Sequence, residues 1–411
     1  MRSNIILISW VFKLILSLFY YNELVLYFIF FDIVVFIAAY LLDKTSFFYF
    51  SYIIFQITSI ALYLSYNIES SSKFSYGGDD SQLFGYIKNN TEELIVNYPL
   101  FLYVNSFVRD ISIFIFGDIE FKFLLYINNI VASLTLFNYF LISKKYKLKN
   151  FYIIFLFTPF FYFSSLFLRD VYIYFFVSLY FLLIASNYSK LFKITLFIIL
   201  MTCIFFLRPE SALILPLFEF FRFLYSKITS LKYRTLILLI LFSLSFNITI
   251  LADSLLSITS FGFRDVELMK DIYLGDDSIG AIGRVLMDNS SFGYYLFNLF
   301  RPIPPYYLST PNFENFIQIF GNLFWYIIII TCFLNPKKIL KSNSYLLSIV
   351  SVLLLYVALV SFIGGTSRHF YAIIPFFILH IYNIPKLFNR DNNLIILSFL
   401  VLLISSYTIF K

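Results

Sequence analysis

Four short stretches of the chain gather arginine, carboxylate and histidine side chains that could act together. The run SSLFLRDVYIYFF (Ser164 to Phe176) sets Arg169 and Asp170 among apolar and aromatic neighbours. FFLRPESALILP (Phe205 to Pro216) does the same with Arg208 and Glu210. YGGDDS (Tyr76 to Ser81) supplies adjacent carboxylates, Asp79 and Asp80, and IGGTSRHFY (Ile363 to Tyr371) places Arg368 beside His369. A guanidinium is a planar fork suited to two-point binding of phosphate or carboxylate. A carboxylate or an imidazole can take the proton of a hydroxyl. Together the residue types combine anion holding with general-base chemistry.

The elements that must position these groups follow from composition. Of 411 residues, 61% are hydrophobic and only 13% charged, against about 25% charged in an ordinary soluble domain. The mean hydropathy of +0.86 agrees. The expected fold is therefore all-α, a single polytopic membrane domain over 1–411. Each crossing needs roughly 17–25 apolar residues. Candidate spans fall at 4–20, 24–42, 46–66, 119–143, 151–167, 171–188, 194–207, 212–225, 235–252, 313–334, 344–362, 371–384 and 394–410, about 13 in all, with 11–13 as the range. Two larger outer loops, 67–118 and 253–312, are expected to carry short interfacial helices. No cleavable signal peptide is expected, because the first apolar stretch has no small-residue cleavage site.

Loop charge sets the orientation. With the N terminus cytoplasmic, the inner connections are SKKYKLKN (143–150), SKLFK (189–193), SKITSLKYR (226–234), NPKKILKS (335–342) and PKLFNR (385–390), all basic. The outer side receives Arg109, Arg169, Arg208, Arg264, Arg284, Arg301 and Arg368, together with most of the acids, while most lysines lie inside. Positive-inside sorting alone gives no reason to separate Arg from Lys. At the outer ends of helical hairpins a charge costs far less than at the bilayer centre. Two readings remain open for Arg169-Asp170 and Arg208-Pro209-Glu210: turn markers in which each Arg pairs with its own acid, or a paired anion cradle. Lys13 and Asp32 are the main charges inside spans.

The sequence GDDS occurs in both outer loops, at Asp79-Asp80 and at Asp276-Asp277. It can serve as a helix start, since Asp and Ser cap well. Two adjacent carboxylates can also hold a divalent cation or supply a base. The proline-rich run LFNLFRPIPPYYLSTP (Leu299 to Pro311) excludes a regular helix; its Tyr306 suits either an interfacial belt or a wall for sugar stacking, and Arg301 can meet a phosphate. His/Cys clusters at zinc-ligand spacing, Walker loops and dinucleotide fingerprints are all missing from the sequence. The net charge of +7 belongs to the inner loops and implies no nucleic-acid partner.

In order and sidedness these pieces resemble the polytopic proteins of bacterial surface-polysaccharide loci. These are the O-antigen and capsule repeat-unit polymerases of the Wzy type, and the related lipid-sugar glycosyltransferases of GT-C architecture. The resemblance rests on Asp79, Asp80 and Phe84, on Arg169-Asp170, on Arg208-Pro209, and on Gly364, Gly365, Arg368 and His369 ahead of Pro375. The usual GT-C layout has its acidic loop after the first helix; here it follows the third, which favours the polymerase. The resemblance implies an enzyme of the bacterial cytoplasmic membrane. It would transfer a glycan from undecaprenyl diphosphate to an acceptor sugar hydroxyl on the outer side. Asp80, Asp170 or His369 would be the base, and Asp79, Arg169, Arg208, Glu210, Arg284, Arg301, Arg368 and Tyr306 would bind diphosphate and glycan. No cofactor is implied beyond a cation at Asp79/Asp80. Membrane lipids and a chain-length regulator protein are the implied partners. The alternatives are a GT-C transferase using a polyprenyl-phosphate sugar, and a non-enzymatic glycolipid flippase.

Overall fold

The computed structural model describes residues 2–20, 25–42, 46–67, 84–85, 87–88, 99–117, 121–148, 151–164, 166, 168–256, 313–362, 371–384 and 387. Every regular element among them is helical. The helices are α1 (Arg2–Tyr20), α2 (Val25–Leu42), α3 (Ser46–Asn67), α4 (Pro99–Phe116), α5 (Phe121–Lys145), α6 (Thr158–Ser164), α7 (Asp170–Ala185), α8 (Lys190–Leu207), α9 (Ile214–Lys227), α10 (Leu231–Leu256), α11 (Phe313–Leu334), α12 (Pro336–Leu340), α13 (Ser344–Phe362) and α14 (Ile374–Ile381). Tight 3₁₀ segments cover Phe151–Leu156 and Pro209–Leu213. Among the described residues two helical stretches, Leu124–Lys145 and Lys190–Leu207, are long and apolar enough to cross a membrane.

The expected spans coincide closely with α1, α2, α3, α5, α8, α11 and α13. Three places differ. The expected span 151–167 is broken into the 3₁₀ segment and the seven-residue α6. Pro159 explains the break: it has no N–H to continue the preceding helix and its ring clashes with the carbonyl of Phe155, so a new helix starts with Pro159 in its first turn. Within the expected loop 67–118 lies the 18-residue α4, whose apolar run is interrupted by Asn105, Arg109 and Asp110. In the expected span 371–384, α14 covers only Ile374–Ile381, with Pro375 in its first turn, where a missing N–H costs nothing. The expected span 394–410 lies outside the described residues.

The chain forms two compact units. The first comprises Met1–Tyr146, Phe160–Arg208 and Asn312–Glu314; the second comprises Lys147–Pro159, Pro209–Pro311 and Asn315–Lys411. In the first, α5 packs on α3 on one side and on α7 on another, α1 packs on α3, and α8 lies against α7 and α4. Helices α5 and α7 run parallel. Asn128 reaches Leu166 O near one end, Asn138 meets Ser178 in the middle, and Lys145 reaches Ser186 Oγ at the other end. Burial is inverted on α1 and α2. The buried residues among their described positions are Lys13, Ser17 and Asp32, while Ile8, Phe12, Phe19 and Phe30 stand exposed. A water-facing helix hides its apolar stripe; these hide their polar groups.

In the second unit α9 and α10 both pack on α13. Tyr225 OH meets Ser351 Oγ and Ser211 Oγ meets Tyr356 OH, each at 2.8 Å. Arg234 donates to the carbonyls of Ile228, Leu340 and Ser342, so the basic segments 226–234 and 335–342 share one end of this unit. Helix α11 crosses the Thr158-Pro159 dipeptide at Gly321. A Cβ there would sit 1.9 Å from Pro159 Cδ and 2.4 Å from Thr158 Oγ1, so only glycine fits.

Candidate active site

Helices α7 and α8 form an antiparallel hairpin. Its closed end is the turn at Ser186–Ser189, where Ser189 Oγ caps α8 by accepting from Phe192 N. The open end brings residue 170 to residue 208. Proline again decides the local geometry. Arg208 precedes Pro209 and therefore leaves α8 in an extended conformation (φ −164°, ψ 106°), while its N–H still donates to Ile204 O at 2.7 Å. Turned out of the helix, its guanidinium reaches back and donates from Nη1 to Asp170 Oδ1 at 2.9 Å. Asp170 is the first residue of α7, so its negative charge also faces a helix N terminus. Both side chains are almost wholly buried, at 2% and 1% exposure.

Arg169 occupies the position before α7 in helical backbone geometry, half-buried, and its carbonyl accepts from Tyr172 N and Ile173 N. Tyr172 packs edge-on against Phe101 of α4. Asn105, on the next turn of α4, is buried and donates to Phe101 O. The lysines collect at the opposite end: Lys145 reaches Ser186, Lys193 reaches Ile184 O, and Lys190 opens α8. On this hairpin Arg169 and Arg208 therefore lie at the end opposite to the lysines.

The ion pair joins one turn to the other. Arg208 is held against Asp170 and is not displayed at a surface, so an incoming anion must share or displace that contact. Glu210 lies two residues on, half-buried, in the 3₁₀ segment. Asp79, Asp80, Arg284, Arg301, Tyr306, Arg368 and His369 lie outside the described residues.

A second charged centre stands in the same unit. Lys13 Nζ donates to Asp32 Oδ2 at 2.5 Å, and Trp10 Nε1 donates to the same oxygen at 2.9 Å. The other oxygen, Oδ1, accepts from Tyr52 OH at 2.6 Å and from Tyr126 OH at 3.0 Å. The two tyrosine hydroxyls also contact each other. Their rings flank the ammonium, with centroids 5.5 and 5.6 Å from Nζ, a cation–π arrangement. Four helices, α1, α2, α3 and α5, contribute. The sequence flags Lys13 and Asp32 as opposite charges in neighbouring apolar spans, which is the signal for a pair. Tyr52, Tyr126 and Asn128 carry no such signal.

No known protein family, no curated protein and no solved structure matches this chain.

Proposed function

We propose that the chain is a multi-pass protein of the bacterial cytoplasmic membrane, with about 13 spans and a cytoplasmic N terminus. We read it as a repeat-unit polymerase of surface polysaccharide. The observation that carries this reading is the Asp170–Arg208 ion pair with Arg169 beside it, at the end of the α7–α8 hairpin away from Lys145, Lys190 and Lys193. By the positive-inside rule the lysine end faces the cytoplasm, so the arginines meet the outer leaflet, where a flipped lipid diphosphate presents its anion.

In this mechanism Arg169 and Arg208 hold the diphosphate and stabilise the charge that develops on it. The acceptor hydroxyl oxygen attacks the donor's anomeric carbon. The bond from that carbon to the diphosphate oxygen breaks, its electron pair leaves with undecaprenyl diphosphate, and the hydroxyl proton passes to a carboxylate, Asp170 or Asp80. The leaving group itself drives the transfer, so no nucleotide is consumed.

The test is gene deletion followed by analysis of lipid-linked glycans. The polymerase reading expects single repeat units without long chains. A repeat unit lacking one sugar would replace it with the GT-C transferase. Intermediates held in the inner leaflet would replace it with a flippase, the alternative that the buried Lys13–Asp32 centre favours.

A further inference from the structure

Three residues within one turn of α5 make three different polar ties. Tyr126 OH donates to Asp32 Oδ1. Asn129 Oδ1 accepts from Ser59 Oγ of α3 at 2.9 Å. Asn128 Nδ2 donates to Leu166 O at 3.0 Å and reaches Leu168 O at 3.4 Å. Tyr126 and Asn128 are two residues apart, about 200° around the helix and about 3 Å along it. They therefore point to nearly opposite sides of α5 at nearly one level. One side is locked to the Lys13–Asp32 centre, and the other holds the segment that leads into Arg169 and Asp170.

That segment needs an external anchor. Helix α6 ends at Ser164 and α7 begins at Asp170, so the carbonyls between them lack a continuous helical ladder. Leu166 O accepts from Leu168 N at 2.9 Å, and Asn128 supplies its second donor. Asn128 is fully buried, so its amide is there to hold backbone and not to meet solvent. Farther along α5, Asn138 ties to the Ser178 side chain in mid-helix, where α7 needs no help.

We propose that Asn128 is a positioning residue for the Asp170–Arg208 pair, and that the Lys13–Asp32 centre is the clamp that fixes α5, and Asn128 with it, through Tyr126. The activity arm below rests on the polymerase reading; the accessibility arm does not.

Buried serines serve as reporters. Ser164 and Ser133 are fully buried, and among the described residues neither hydroxyl has a hydrogen bond to lose when a thiol replaces it. In protein with Cys203 and Cys332 replaced by alanine, Ser164→Cys should resist a maleimide in membranes. Adding Asn128→Leu, or Asn128→Ser should the leucine variant not accumulate, should speed labelling at 164 at least tenfold. Tyr126→Phe should do so more weakly. Labelling at Ser133→Cys should stay slow throughout. An unchanged rate at 164 with Asn128→Leu overturns the positioning role. A rise with Asn128→Leu but none with Tyr126→Phe overturns the clamp. Equal opening at 133 and 164 means general loosening and overturns both. In polymerisation assays Asn128→Leu should lower kcat/KM about tenfold, the weight of one buried hydrogen bond, while Asn138→Leu leaves it unchanged; equal losses overturn the assignment. If even the unsubstituted protein makes no polymer, the functional reading fails and the labelling result still decides the positioning role.

Discussion

The two buried ion pairs among the described residues of the first unit are built on opposite plans. The Asp32 carboxylate is met by four donors, two on each oxygen, from residues inside helices α1, α3 and α5. Asp170 meets Arg208 where two helices end, beside a proline and a non-helical segment. The first is closed: any new partner must break a satisfied shell. The second lies where the chain has ends to move, so its partners can be exchanged. Burial is common to both pairs; the backbone on which each is mounted separates them.

This contrast is sharpest in substitution. The largest effect should come from Lys13→Met alone, which strands the Asp32 charge. Breaking one side of a buried pair costs about 3–5 kcal/mol, so protein in the membrane should fall steeply. Lys13→Met combined with Asp32→Leu should recover most of that amount, since apolar replacement of a whole pair is often neutral or better. Membrane protein quantified by blot decides; if the double variant is as poor as the single one, the centre is more than a paired charge.

Next comes Arg208→Lys. It keeps the charge but loses the fork. A lost charge-assisted hydrogen bond is worth about 1.5–3 kcal/mol, so on the polymerase reading turnover should slow about 10- to 100-fold, with protein amount nearly normal. The same should hold for Arg169→Lys. Activity near that of the unsubstituted protein in both would move Arg208 into the structural class with Lys13.

The mildest change tests the closed shell itself. Trp10→Phe removes one donor of four and keeps an aromatic ring, so it should cost about 0.5–1.5 kcal/mol and, on the polymerase reading, leave turnover untouched. A loss of activity larger than the loss of protein would show that the Lys13–Asp32 centre takes part in turnover.

How much of this was legible beforehand depended on the reach of each signal. Apolar length gave α8 and α13 to within a few residues. It missed the break at Phe157–Pro159, because Phe, Leu and Thr beside Pro159 keep the run apolar while the backbone changes. It missed α4 because Arg109 and Asp110 look like loop; in the helix they pair with each other at 2.6 Å, and Arg109 also donates to Ile87 O. Arg208 and Asp170 were both picked out by type. Their pairing was not, since it depends on Pro209 turning residue 208 out of α8. Tyr52 and Tyr126 are two of 34 tyrosines, and only their placement about Asp32 distinguishes them.

The order in which the clamp is synthesised has its own consequence. Lys13 and Asp32 leave the ribosome within 19 residues of each other, but Tyr126 follows Asp32 by 94 residues. At about 5–20 residues per second that gap lasts roughly 5–20 s. In a membrane reading, α1 and α2 must enter the bilayer as a hairpin in which only Lys13 and Trp10 meet Asp32, with its shell half built. On that reading the remaining two donors, Tyr52 and Tyr126, complete the shell only when α3 and α5 arrive.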